Sequence, residues 1–287
     1  MNQNTQGRYL LLATAFLFST GGAAIKACQL NSWQVAGFRS GVAALALWLL
    51  LPEARKSWTW RMVPVSFTYA ATLILFVFAT KNTTSANAIF LQATGPLYLL
   101  FAAPILLREP ARGGDFLMAG WLVFGMSLFY FDSTIVNSLA PHPAFGNALA
   151  ALSGITWAGT LLGVRWLSKV QGGNLAPVVL GNAITFLITL PMALPVDRLS
   201  MPDTLVILYL GIIQIGLSYV LMSRAVRHVE ALAASLILLV EPALNPLWTW
   251  VVHHEAPSPQ AMAGGAIILL GILVHTAWQA PQTSKIS

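Results

Sequence analysis

The chain has 287 residues, of which 57% are hydrophobic and only 8% charged, and its mean hydropathy is +0.72. A soluble protein carries about 25% charged residues, and no soluble fold of this length has an interior for so much apolar surface, so lipid must solvate it. The formal charge of +6 is not a nucleic-acid signal, because the basic residues stand singly between apolar runs, and the single cysteine, Cys28, excludes an intramolecular disulfide or a cysteine-rich metal site.

The first apolar run, Tyr9 to Ile25, follows Arg8. It reads more simply as a spanning helix than as a secretory signal, because many more such runs follow. About 20 apolar residues cross a bilayer core, and on that measure ten spans are expected. They cover 9–27, 33–51, 63–80, 84–107, 115–131, 144–166, 175–195, 203–223, 230–252 and 259–278. Trp58 and Trp60 precede the third, as in an interfacial aromatic belt. Most prolines mark ends and turns, but Pro96, Pro242 and Pro246 lie inside the fourth and ninth spans.

Two stretches repeat. With a constant shift of 146 residues, Pro96 meets Pro242, Glu109 meets Glu255 and Gly125 meets Gly271. A shift of 139 pairs Thr14 with Ser153, Phe18 with Trp157, Gly21 with Thr160 and Lys26 with Arg165. Each copy is an apolar helix interrupted by proline, a short polar turn and a second apolar helix. Five spans per half is an odd number, so the second half enters the membrane upside down. The expected fold is an all-α polytopic membrane protein of ten transmembrane helices, built as two inverted five-helix repeats over 1–132 and 133–287. Duplicated halves with interrupted helices point to a transporter with its site between them.

Orientation follows from the basic residues. With the N-terminus in the cytoplasm, eleven lysines and arginines lie inside, while Lys26, Arg39, Lys81 and Arg198 lie toward the outside. The positive-inside rule then places both termini in the cytoplasm of a bacterial-type inner membrane. Lys26 and Arg39, near external helix ends, are expected to snorkel to the interface, although either suits an anionic group at a gate.

Glu241 is the acidic residue expected deep inside a span, where a charge costs a few kcal/mol or more and faces a cavity or a partner. Asn245 lies one turn on. Glu241 either contacts a substrate amine or carries a coupling proton, or it caps backbone donors beside the Pro242 break. Gln214 and Ser218 stand one turn apart with Tyr219 beside them, and their counterparts in the third span are Thr68 and Thr72. Trp157 and Thr160 in the sixth span answer to Phe18 and Gly21 in the first, and Tyr98 faces inward from the fourth. The candidate substrate-binding set is therefore Phe18, Tyr98, Trp157, Thr160, Gln214, Ser218, Tyr219, Glu241 and Asn245. Hydroxyls and amides at such positions equally join helices in lipid. Gly37-x-x-x-Gly41 and Gly159-x-x-x-Gly163 are read as close-packing sites, and His253-His254-Glu255 as a turn rather than a metal site. No catalytic, phosphate-binding or cofactor motif is present, so neither an enzyme nor an ATP-driven pump is expected, and no cofactor or metal.

The pattern Gly95-Pro96…Leu107-Arg-Glu109…Gly125, repeated as Glu241-Pro242…His254-Glu255…Gly271, resembles the EamA family of the drug/metabolite transporter superfamily. The stretch Phe18 to Lys26 is similar to that family's first helix, and the overall likeness is greatest to its YddG-type amino-acid exporters. The resemblance implies ten helices, internal termini, and a cavity lined by helices one, three, four, six, eight and nine. One departure is His254, where the family commonly has glycine before the glutamate. The expected function is export of amino acids with broad specificity, by alternating access around a central cavity. Its partners are a small-molecule substrate and the bilayer, with no nucleic acid and no obligate protein. Export of a drug or another metabolite is the alternative, and a non-transporting membrane scaffold the more distant one.

Overall fold

The computed structural model describes residues 3–55, 58–106, 113–132, 138–171, 175–225, 228–229, 237–238 and 240–283. The helices are α1 (Gln3–Ser19), α2 (Gly21–Ala27), α3 (Ser32–Leu50), α4 (Met62–Asn82), α5 (Ser85–Gln92), α6 (Gly95–Leu106) and α7 (Gly113–Asp132). They continue as α8 (Pro143–Gln171), α9 (Ala176–Ala193), α10 (Met201–Leu208), a π-helical segment Tyr209–Leu217, α11 (Ser218–Ala225), α12 (Val240–His253) and α13 (Pro259–Thr283). Among the described residues, six segments are long and apolar enough to cross a membrane: Thr5–Ala27, Ser32–Leu50, Met62–Asn82, Pro143–Val164, Ala176–Ala193 and Met201–Ala225. Exposed Leu, Ile, Phe and Trp side chains coat the outside, among them Phe101, Ile105, Leu187 and Val251. In water that surface would be untenable; against acyl chains it is the matched solvent.

Helix starts follow local chemistry. Asn31 caps α3 in a capping box, accepting from Gln34 N–H while the Gln34 side chain accepts from Asn31 N–H. Thr84 caps α5 and Ser200 caps α10 in the same sense. The break expected from Pro96 falls at Ala93–Thr94. A proline disfavours helical geometry in the residue before it and lacks an N–H, so a new helix starts at Gly95 with Pro96 in its first turn. Thr94 Oγ1 donates to the Leu91 carbonyl at 2.6 Å, satisfying an acceptor near the break. The fourth predicted span is thus two short helices, and the ninth is described from Val240. The Leu107-Arg-Glu109 turn and residues 230–236 lie outside the described residues.

Helix pairing brings distant segments together. α4 packs on α8 and α9, α3 on α9 and the π segment, α1 on α11 and α12, and α7 on α13. The 146-residue register reappears in these contacts. A Cβ on Gly125 would sit 3.1 Å from Ile267, and one on Gly271 would overlap Trp121. Adding 146 to 121 and 125 gives 267 and 271. Trp121 Nε1 also donates to the Ile267 carbonyl at 2.7 Å. Both small-xxx-small pairs are packing sites: Gly37 and Gly41 meet Thr189 and Phe186 of α9, while Gly159 and Gly163 meet Thr68 and Val65 of α4.

Candidate functional site

Residues from both halves meet halfway along the long helices. Phe18 of α1 stands edge-on to Tyr219 of α11 with ring centroids 5.3 Å apart, and Tyr219 is edge-on to Tyr69 of α4 at 6.2 Å. Trp157 of α8 packs against the same cluster. Such edge-to-face contacts add about 0.5–1.5 kcal/mol each beyond burial. Glu241 lies in the first turn of α12, half-buried. Among the described residues the Glu241 carboxylate has neither a hydrogen bond nor an ion pair, so the capping role open to it from sequence is not seen.

The other predicted polar residues divide by what they touch. Gln214 Nε2 donates to the Phe18 carbonyl at 3.3 Å, while its Oε1 is buried without a partner. It projects from the π segment, a backbone distortion common at functional sites. The Ser218 hydroxyl donates to the Ile213 carbonyl within its own span at 3.4 Å, and the Ser218 backbone carbonyl accepts from Thr14 Oγ1 at 3.4 Å. Thr160 Oγ1 bonds Thr68 Oγ1 at 3.2 Å, and Thr72 bonds Thr156 at 2.9 Å, fastening α8 to α4. A Cβ on Gly21 would lie 2.8 Å from Gln214. At the sequence shifts of 139 and 146, Gly21 and Gln214 align with Thr160 and Thr68, which also touch each other. Tyr98 is half-buried between α6 and α8, close to Gly154, and packs against the apolar cluster around Phe90 and Leu91. Asn245 is buried and accepts from Ser85 Oγ at 2.6 Å, facing Gly22.

At the end of the bundle where α2, α5 and α12 converge, a polar network closes the molecule. Lys26 Nζ lies 2.7 Å from Glu255 Oε2, with side chains only 3% and 4% exposed. Lys26 also donates to the carbonyls of Thr83, at 2.9 Å, and Leu139. Glu255 Oε1 accepts from Ser85 N–H at 2.6 Å. Below it, Trp248 Nε1 donates to Ser19 Oγ at 2.8 Å, and the His253 Nε2 lies 2.8 Å from the Ala23 carbonyl. Snorkelling is therefore corrected for both cations. Lys26 is neutralised inside the protein, and Arg39 is 2% exposed, turned into the α3–α4 contact. Sequence reasoning missed the ion pair because its members lie 229 residues apart. Cys28 follows directly after α2, and burial pushes its thiol up to about 11, leaving it protonated and unreactive at neutral pH.

The opposite end is open. A cavity of about 280 Å³ is lined by Gln6, Gly7 and Leu10 of α1, by Arg224 of α11 and by His228. Leu10 lies eight residues from Phe18, about 12 Å along a helix.

Apolar helices long enough to span a bilayer, packed around buried aromatic and polar side chains, are those of a multi-pass membrane protein. The chain belongs to the EamA-like transporter family, which matches residues 5–131 and 144–277. It is 22% identical over 277 residues to the pseudopaline exporter CntI of Pseudomonas aeruginosa, covering 93% of this chain and 94% of that protein. It is 22% identical over 289 residues to the biotin transporter of Salmonella typhimurium, covering 94% and 92%. The uncharacterized transporter YwfM of Bacillus subtilis is 26% identical over 301 residues, covering 99% and 97%. A solved crystal structure superposes with a TM-score of 0.64 at 16% identity, over 94% of this chain and 98% of that one, a likeness of fold. The family and these relatives are transporters, not enzymes.

Proposed function

We propose that this protein exports amino acids with broad specificity, by alternating access between two inverted five-helix repeats, 1–132 and 133–287, with both termini in the cytoplasm of an inner membrane. The observation that carries the reading is the Glu241 carboxylate, set in the first turn of α12 with no hydrogen bond or ion pair among the described residues. A carboxylate in the bilayer interior without a counter-charge is costly, and a substrate ammonium removes that cost. Phe18, Tyr69, Trp157 and Tyr219 offer faces that accept side chains of varied shape, and Gln214 a free carbonyl oxygen. The matched contacts in both halves support the repeat. The sealed Lys26–Glu255 end and the cleft by Arg224 support a conformation closed to the outside and open to the cytoplasm.

Purified protein in ATP-free liposomes is expected to move labelled amino acids down a gradient. Absence of flux for every amino acid, in liposomes that carry another labelled metabolite, would reject the substrate class. The second reading is export of a different small metabolite, supported by the pseudopaline exporter and biotin transporter among the relatives; the same liposomes distinguish the two.

A further inference from the structure

Arg39 is a cation inside a membrane-spanning segment, and among the described residues it has no counter-charge. It sits seven residues into α3, about 10 Å from that helix's start, and is 2% exposed. Its Nη2 donates to the Leu73 carbonyl of α4 at 3.3 Å, while its Nε is buried with no partner. The pair formed by Lys26 and Glu255 is the ion pair among the described residues, and no carboxylate there answers Arg39. Ser40 Oγ, Asn182 Oδ1 and Gln214 Oε1 are also buried and unpartnered, and all belong to elements packed on α3 or, for Ser40, to α3 itself. Tyr69 links this polar group to the aromatic cluster: its ring is edge-on to Tyr219 at 6.2 Å, shares a cluster with Leu73, and packs against Gly181, next to Asn182.

Buried polar groups in folded proteins are satisfied, and each orphan calls for a missing partner. For a buried guanidinium that partner is an anion, and the planar fork of Arg suits a carboxylate above others. Gly211 lets the π segment close directly onto α3, since a Cβ there would lie 2.9 Å from the Arg39 carbonyl. That close approach sets the substrate-facing Gln214 on the same element that backs Arg39. Sequence alone placed Arg39 toward the external interface; only the helix packing turns it inward.

We propose that Arg39, with the Tyr69 hydroxyl and the Asn182 amide, forms a subsite for the carboxylate of the transported molecule, screened in this conformation by the Tyr69–Tyr219 pair. The subsite deepens the amino-acid reading and rests on it for the identity of the ligand. It is distinct from Glu241, the residue assigned to the ammonium. Specificity then comes from two unlike charges addressed separately, one for the ammonium and one for the carboxylate.

The test compares three ligands that differ only in charge: L-phenylalanine, phenethylamine, which lacks the carboxylate, and 3-phenylpropionate, which lacks the amine. Labelled phenylalanine is bound to purified protein and displaced by each in chloride-free buffer. Wild type is expected to prefer phenylalanine to phenethylamine by at least about tenfold, the lower end for a charge-assisted hydrogen bond. Arg39→Gln is expected to bring that ratio near one, and Arg39→Lys to keep most of it. Asn182→Asp supplies the missing counter-charge inside the protein; it is expected to raise the melting temperature and abolish the preference. It also serves if Arg39→Gln fails to fold. An unchanged ratio in a folded Arg39→Gln or Asn182→Asp protein overturns the subsite and leaves the amino-acid reading standing. If wild type instead binds labelled 3-phenylpropionate and not phenylalanine, the amino-acid reading falls, and loss of that binding in Arg39→Gln still supports the subsite. If chloride stabilises wild type but not Arg39→Gln while the ligand ratio stays fixed, the pocket is an inorganic-anion site and the carboxylate assignment is overturned.

Discussion

Lys26 at the end of α2 and Glu255 just beyond α12 form a buried ion pair of 2.7 Å that ties the first and last thirds of the chain at one end of the bundle. Each partner also holds a third segment, Lys26 through the Thr83 carbonyl and Glu255 through the Ser85 amide. A buried pair of this kind contributes little net stability against an apolar replacement, yet breaking it from one side leaves an uncompensated charge. That combination suits a latch, which must hold firmly when complete and release when one partner is satisfied otherwise.

Lys26→Met and Glu255→Gln should each lower stability, the lysine variant by about 3–5 kcal/mol because Glu255 is left buried without its cation. The double variant should lose less than the sum of the singles by about 1 kcal/mol or more. Cys28, 1% exposed and two residues from Lys26, is a built-in reporter. A membrane-impermeant maleimide at pH 7 should leave it unmodified in the wild type and label it in both single variants. Additive stabilities together with an unlabelled Cys28 would show that the pair does not close this end.

Glu241→Gln should fold normally and lose most transport. Glutamine keeps the size and one carbonyl acceptor but cannot be charged, so it separates charge from shape. Since the carboxylate has no protein partner here, its neutralisation should raise rather than lower the melting temperature in detergent. Liposome flux and melting temperature on one preparation decide the matter. Full flux in a stable Glu241→Gln protein would exclude a charge-dependent role.

His254 has φ of 55°, in the left-handed region. Its side chain is exposed, so the turn geometry rather than any contact governs what is tolerated there. His254→Gly should be close to neutral, because relief of strain is offset by extra freedom in the unfolded chain. His254→Val should destabilise by about 1–3 kcal/mol, since a β-branched residue resists positive φ. It should also weaken the latch, by moving the adjacent Glu255. Equal melting temperatures for His254→Gly and His254→Val would refute this account of the turn.

Composition alone determined the class of this protein, because so much apolar surface has no solvent but lipid. The apolar runs located the helices, and the prolines the breaks, because backbone hydrogen bonding in a bilayer must be met within each segment. Gly125 and Gly271, aligned by the 146-residue shift, both sit where α7 meets α13, since close packing there tolerates only small residues. What tertiary structure decided was partnership. Thr160 fastens α8 to α4, while Gln214 keeps an unsatisfied oxygen and Glu241 has no partner among the described residues. Lys26 and Arg39, alike in sequence as cations near helix ends, were drawn inward to opposite situations, one neutralised by Glu255 and the other left with an orphaned Nε. A charge in a membrane helix carries no mark of its partner along the chain. The partner arrives from another helix, and only the packing of α2 on α12 and of α3 on α4 fixes which cation receives one.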